Sequence, residues 1–391
     1  MKSIVIITHG YPCKARPIWL AFVREIAHAF ARTGLKVTVI FPHAVHRAMR
    51  AGDPFHWKED AGNGAVVDVY CPRFLSFSSL QLGGWNTERL TLFGCYRAAR
   101  RVLLKHMPEK PDALYGHFLY LGGAVAARLG RECGIPAFVA VGEGNLCSME
   151  PHGAVRAGKD LGGVAAYIPN SSELSRQLQS ELQVPREKIG VFPNGIDRRV
   201  FWARDRVAMR RKYGLPADTF LVCCVGYFTE NKGPVRVGEA ICGLSGVGGV
   251  FVGAGPVPPA ADNIVFKSAL THDQVPEVMS ACDVFVLPTK YEGCCSAILE
   301  AMSCGLPIVS SEGAFNDDIL NNHVSIRISP TDINAIRQAI VYLKGDREKC
   351  SIMAGEAQKW AINFDIDLRM KRLRQFMCEQ CFAYQIMEPR K

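Results

Sequence analysis

The sequence predicts an α/β protein built from two doubly wound parallel sheets in tandem. Three observations carry that expectation. The 391 residues exceed what one ordinary core organises. Short apolar runs alternate with segments of helical period, twice over. Several loops rich in glycine or acid follow directly on strands, where open α/β sheets bind their ligands.

The first round opens with the strand SIVIITHG (3–10), a helix in WLAFVREIAHAFARTG (19–34) and the strand LKVTVIFP (35–42), which together make a βαβ unit. It continues through the strand DALYGHF (112–118), a helix over 122–134 and the strand PAFVAVG (136–142). The strand AAYIPNS (165–171), a helix over 173–182 and the strand KIGVFPNG (188–195) close it. Turn residues in PNGIDRRVFW (193–202) interrupt the alternation and mark the domain junction. The second round contains strands at 219–228, 249–256, 263–270, 283–289 and 306–313, then a helix over 332–344. The expected domains are 1–195 and 196–368.

Composition narrows the class. Hydrophobic residues make up 48% and charged residues 21%, as in a folded chain and not a disordered one. No apolar run is long enough to cross a bilayer, and the apolar opening is too short for a secretion signal. Fifteen cysteines, some adjacent to one another, do not resemble a disulfide framework and fit a reducing cytoplasm. Only CEQC (378–381) has ligand spacing, without a second pair, so no metal site is expected. Residues 1–190 hold 23 Lys and Arg against 15 Asp and Glu, a net +8 of the chain's +9. The segment YRAARRVLLKH (96–106) mixes that charge with apolar residues at helical spacing. It reads either as a peripheral contact with an anionic membrane or as a solvated basic face. No recognition helix or stacking motif accompanies the charge, so nucleic acid is not expected as a partner.

The chemistry concentrates after the second-round strands. In CCVGYFTENKGP (223–234) a strand ends at Gly226, and Lys232 and Gly233 lead into a helix; lysine there can set a positive charge beside a phosphate, or simply be a surface residue. VGAGP (252–256) lacks the third glycine and the helix of a dinucleotide fingerprint. YEGCCSAILEAMSCGLPIV (291–309) places Glu292 in a loop and Glu300 in the next helix, with Ser296 as expected N-cap and Gly305 as stop. The amides of Cys294, Cys295, Ser296 and Ala297 would form an anion site. Glu300 and Glu292 would then accept hydrogen bonds from two sets of sugar hydroxyls, unless Glu300 only favours the helix start and Glu292 is solvated. His9 and His117 each end a strand and could act as acid or base, or be structural.

These residues resemble a known family. EGCCSAILEAMSCGLPIVSS is similar to the glutamate-x7-glutamate signature of the family-4 retaining glycosyltransferases, which have the two-domain GT-B architecture. IGVFPNGIDRRVF resembles the family's PNGxD segment, VGYFTENKG its phosphate loop, ACDVFVLPTKYEG its last donor-site strand and GLKVTVI its second strand. The teichuronic-acid, envelope-polysaccharide branch is nearest in character. The resemblance implies two Rossmann-like domains facing a central cleft, with a last helix (about 369–391) crossing back to the first. It implies donor binding by Gly226, Tyr227, Lys232, Gly233, Ser268, Ala269, Glu292, Gly293, Cys294, Cys295, Ser296, Ala297 and Glu300. Glu300 would hold the ribose, Glu292 the transferred sugar and Lys232 the diphosphate, with the base near Ser268 and Ala269; Glu292 and Lys232 are the expected catalytic residues.

The donor would be a UDP- or GDP-linked sugar, with no cofactor required. The acceptor would be a glycan or a lipid-linked molecule, and the enzyme would be cytoplasmic, peripheral at the inner membrane face. Three positions depart from the pattern. Tyr227 stands where an arginine is usual. Paired glycines are absent from YPCKARPIW (11–19), where Lys14 and Arg16 supply cations. Glu143, followed by Asn145, replaces a histidine. His9, Lys14, Arg16, His117, Glu143 and Asn145 form the expected acceptor side. Two alternatives remain at this level: a nucleotide-sugar-binding protein without full activity, and another GT-B enzyme such as a sugar-nucleotide epimerase. In DID (365–367) the aspartates are expected to cap a helix.

Overall fold

The computed structural model describes residues 1–387 except 15, 18, 46–51, 77–80, 83–84, 145 and 147–158. The chain divides into two compact units: residues 1–170, 174–192 and 367–391 form the first, and 171–173 with 193–366 form the second. Each is built on its own sheet.

The first unit contains β1 (Ser3–Ile7), β2 (Lys36–Ile40), β3 (His56–Gly62), β4 (Ala65–Tyr70), β5 (Ala113–His117), β6 (Ala137–Val141) and β7 (Ala166–Pro169). Their order is β7-β6-β5-β1-β2-β4-β3, parallel except for the β3/β4 hairpin. Ile4 faces Val37 and Ile6 faces Val39 across β1/β2, and all four are buried. Strands covered on both faces are selected as continuous Val/Ile runs, which is why they were legible as strands. Helix α1 (Ala21–Arg32) turns Val23, Ile26, Ala27 and Phe30 inward at helical spacing.

In the first unit two elements differ from the sequence expectation, and in the second the strand Ser325–Ile328 was not foreseen. The β3/β4 hairpin was not foreseen, although Asn63-Gly64 is a strong hairpin turn signal. Segment 188–195 is not a full strand: Gly190 and Phe192 donate to the carbonyls of Tyr167 and Pro169, but only one bridge forms, between Tyr167 and Ile189. Pro169 has no N–H with which to return a bond, so the ladder stops there.

The second unit holds β8 (Phe220–Val225), β9 (Val247–Val252), β10 (Ile264–Ser268), β11 (Val284–Leu287), β12 (Ile308–Ser311) and β13 (Ser325–Ile328), all parallel. Their order is β10-β9-β8-β11-β12-β13. Counted within the unit this is 3-2-1-4-5-6, the Rossmann order, with its reversal between β8 and β11. In the first unit the reversal lies between β1 and β5. Asp283, immediately before β11, is 3% exposed; its carboxylate accepts from Arg210 (2.7 Å), Arg206 (3.0 Å), Arg347 (3.2 Å) and the Leu221 N–H (2.7 Å). That buried hub ties β8 to β11 at their amino ends. Among the described residues every cysteine is a free thiol, and no helix is long and apolar enough to cross a membrane.

Candidate active site

The loops that leave β8 and β11 meet beyond the carboxyl ends of those strands. Gly226 follows β8, and its N–H donates to the Val252 carbonyl at the end of β9. A Cβ on Gly253 would lie 1.9 Å from the Gly226 carbonyl oxygen, and one on Gly255 would lie 2.4 Å from that of Phe228. The glycines of VGAGP are therefore required by backbone contact between two loops, a role its likeness to a dinucleotide fingerprint did not reveal. Tyr227 points outward, 64% exposed, while Phe228 is buried.

Helix α6 (Pro234–Ile241) starts after Gly233, whose φ of 72° lies in the left-handed region. Just before it, Asn231 fastens the β8 loop to the β11 loop. Its Nδ2 donates to the Tyr291 carbonyl (3.0 Å), its Oδ1 accepts from the Tyr291 N–H (3.1 Å), and its carbonyl accepts from Lys290 (3.0 Å). Arg236, buried, donates to the carbonyls of Glu230 and Pro288 across the same gap. Asn231 and Arg236 were missed from sequence because their partners lie 50 to 60 residues away.

This clamp brings Lys232 Nζ into hydrogen-bonded contact with Glu292 Oε1. Both side chains are about four-fifths enclosed. Burial alone would lower the Lys232 pKa; the neighbouring Cys295 and Glu292 outweigh it and raise it above the ordinary lysine value. The ammonium is therefore charged at neutral pH.

Helix α8 (Ser296–Ser303) begins next, with its free amides beside this pair. Its N-cap is Cys295, with extended backbone and no side-chain cap, and Ser296 is the first helical residue, which corrects the expected cap. Ser296 is used elsewhere: Asn194 Nδ2 donates to the Cys294 carbonyl (2.9 Å) and to Ser296 Oγ (3.2 Å). The PNG segment thus anchors the start of α8. Gly293, Cys294 and Cys295 are buried, Ala297 and Glu300 are half-buried, and Gly305, at φ 78°, follows the helix end. Ser268 and Ala269 lie exposed at the end of β10; the Ser268 carbonyl accepts the Gly253 N–H (2.9 Å). The predicted donor-side residues thus lie at the carboxyl end of one sheet, those after β8 and β11 at its topological switch point and Ser268 and Ala269 at the end of the edge strand β10.

The predicted acceptor-side residues lie in the first unit. His9 follows β1 and His117 ends β5, on either side of that sheet's reversal, with Phe118 against both rings (5.5 Å and 4.6 Å between centroids). Burial lowers the His9 pKa. Burial, then the charges of His9 and Arg369, lowers that of His117 to about 3, so it is neutral at physiological pH. Glu143 follows β6; Oε1 accepts from Leu119 N–H (2.7 Å) and Oε2 from Gly142 N–H (2.9 Å). Burial outweighs these bonds and pushes its carboxyl up to about 7. Lys14 and Arg16 are exposed; the Lys14 N–H donates to Asp53 (2.8 Å), and the Arg16 guanidinium lies 4.8 Å from the Trp19 ring centroid. Asn145 lies outside the described residues. Asp367, in the DID segment, accepts from Arg32 (2.9 and 2.6 Å), and both belong to the first unit.

Two doubly wound units, with the last helix, α11 (Ile366–Met387), counted almost wholly with the first, are the two-domain make-up of the GT-B fold. Comparison with known proteins gives the family. The glycosyltransferase family 4 profile matches residues 21–200, and that of glycosyl transferases group 1 matches residues 259–360. The chain belongs to this family of glycosyltransferases and is a nucleotide-sugar-dependent transferase.

A glycosyltransferase of Bacillus subtilis assigned by name to teichuronic acid biosynthesis is 27% identical over 354 residues, 86% of this chain and 88% of that one. An Escherichia coli UDP-Gal:α-D-GlcNAc-diphosphoundecaprenol α-1,3-galactosyltransferase is 29% identical over 50% of this chain and 55% of its own length. Among solved structures, sucrose-phosphate synthase from Thermosynechococcus elongatus superposes with a TM-score of 0.78 at 18% identity, covering 98% of this chain and 100% of that one. Anabaena HepE in complex with UDP gives 0.69 at 16% identity, covering 97% and 100%. At those identities the structures establish the fold.

Proposed function

We propose that the chain transfers a hexose-type sugar from a UDP- or GDP-linked donor to a glycan or lipid-linked acceptor, with retention of anomeric configuration, in envelope-polysaccharide synthesis. One observation carries the donor reading: Lys232 and Glu292, sixty residues apart, are paired beside the α8 amino terminus at a Rossmann switch point. Without donor, Lys232 neutralises Glu292. A bound diphosphate would draw the ammonium to itself, leaving Glu292 to accept from sugar hydroxyls and Glu300 from ribose hydroxyls. As the sugar–phosphate bond breaks, negative charge grows on the leaving diphosphate, where Lys232 and the Cys294–Ala297 amides would stabilise it. The teichuronic-acid and undecaprenyl-diphosphate relatives support an envelope acceptor, and the UDP-bound neighbour supports the donor class.

Calorimetric titration with UDP and GDP tests this. Wild type should bind one of them, and Lys232→Ala and Glu300→Ala should each weaken it by about 10- to 100-fold, the equivalent of one charge-assisted hydrogen bond of about 1.5–3 kcal/mol. A folded wild-type chain that binds neither nucleotide would refute the reading.

A peripheral position at the cytoplasmic face of an anionic membrane is part of the same proposal. Helix α2 (Glu88–Lys105) exposes Leu90, Phe93 and Leu104 alongside Arg97, Arg101 and Lys105. Sedimentation with anionic vesicles should show binding that falls with salt; no binding at low salt would remove the membrane contact.

A further inference from the structure

Outside the candidate active site, the first unit gathers Cys13, His43 and Asp53, all buried, with one potential ligand atom from each within 4.8 Å of the others. Cys13 lies in the turn after β1, where Cys13 and Arg16 exchange backbone hydrogen bonds. His43 follows β2 in a two-residue ladder, His43–Ala44 with Arg73–Phe74, and its ring is flanked by Trp19 and Phe41, 6.0 and 6.1 Å between centroids. Asp53 is 4% exposed. Its Oδ1 accepts from the Lys14 N–H at 2.8 Å, while Oδ2 accepts no hydrogen bond among the described residues and lies 3.8 Å from His43 Nδ1.

A buried carboxylate oxygen without a donor is costly unless a cation meets it. Tetrahedral zinc, with bonds of about 2.0–2.3 Å, sets its ligand atoms about 3.3–3.8 Å apart. For one nitrogen and one oxygen ligand the separation is about 3.3 Å, so the 3.8 Å between His43 Nδ1 and Asp53 Oδ2 needs only a small closure.

We propose that Cys13 Sγ, His43 Nδ1 and Asp53 Oδ2 bind a structural zinc ion, with a solvent molecule as fourth ligand. Thiolate, imidazole and carboxylate together suit zinc better than magnesium or calcium, which take oxygen ligands. The Lys14 N–H bond to Oδ1 orients the carboxylate from behind, as outer partners of metal ligands do. On binding, Cys13 gives up its thiol proton to solvent, and the thiolate and the carboxylate together balance the dication. The ion would hold together the turn after β1, the chain after β2 and the segment before β3, and so fix the turn that carries Lys14 and Arg16.

Elemental analysis of the purified full-length chain tests the site, followed by chelator treatment and titration with zinc chloride or cobalt chloride. We expect about one zinc per chain, and a cobalt spectrum with thiolate charge-transfer and tetrahedral intensity. The melting temperature should fall on chelation and recover with zinc. Asp53→Asn and Cys13→Ser should lose most of the metal, while the double variant Cys378→Ser/Cys381→Ser keeps it. A folded wild-type chain that carries no zinc and takes none up would overturn the proposal. So would metal that stays in both single variants and leaves with Cys378 and Cys381. Should a single variant not fold, the wild-type cobalt spectrum decides alone: a spectrum without thiolate charge transfer counts against the site.

Discussion

Replacing Glu143 with glutamine should change the pH dependence of stability in a direction the structure determines. The Glu143 carboxyl has a pKa near 7 in the folded chain against an ordinary 4.5, because burial outweighs the two backbone N–H bonds it accepts. The folded state therefore holds this proton more tightly than the unfolded state. Between pH 4.5 and 7 it carries more bound protons, so stability falls as pH rises through that window and levels off above it. At about 1.4 kcal/mol per pH unit, the loss is at most about 3 kcal/mol. The residue keeps some surface, which screens the charge and makes about 2 kcal/mol a fairer figure.

Glutamine has one acceptor oxygen for two backbone donors, so near pH 5 the variant should be the less stable by about 1 kcal/mol. Near pH 8.5, where wild type carries a buried carboxylate, the difference should shrink or reverse. For a unit of this size each kcal/mol moves the melting point by about 2–4 °C, so the wild-type advantage should change by about 4–8 °C across the range. Scanning calorimetry of both proteins at pH 5, 6, 7 and 8.5 measures it. Curves that run parallel to within about 1 °C would show that Glu143 ionises like a surface glutamate and would refute this reasoning.

The second unit offers two further checks. Asp283→Asn leaves Arg210 buried without its counter-charge and should cost about 3 kcal/mol, the low end for breaking a buried pair, because Arg206 and Arg347 are about half exposed; a calorimetric shift of the second unit's transition below about 2 °C would contradict this. Gly253→Ala drives a methyl group into the Gly226 carbonyl and should weaken nucleotide binding at least about tenfold by displacing the β8 loop. Gly345→Ala, with open space around it, is the control, and equal nucleotide affinity in the two variants would show that the two glycine loops need not touch.

The elements of this fold were legible because their signals are local. Strands buried on both faces appear as uninterrupted apolar runs, and α1 shows its inward stripe directly. The misses are instructive for the same reason. The edge at 188–195 reads as a strand by composition, but pairing fails because the facing residue is Pro169. Ser296 looks like a cap by type, but Asn194, about a hundred residues earlier in the chain, engages its hydroxyl and leaves Cys295 in the capping position.

By itself the sequence determined the alternation of strand and helix, the two-domain division it implies, and the Glu292–Glu300 spacing, since each follows from residue type and short-range periodicity. Only the tertiary structure decided the strand order that puts the β8 and β11 loops side by side. It alone brought Lys232 to Glu292 through the Asn231 clamp, enclosed Glu143 until its carboxyl held a proton near neutrality, and assembled Cys13, His43 and Asp53 from three separate segments. Periodicity reports which face of an element is buried. What lies against that face, and therefore the local charge and polarity that set a site's chemistry, is a property of residues distant in the chain.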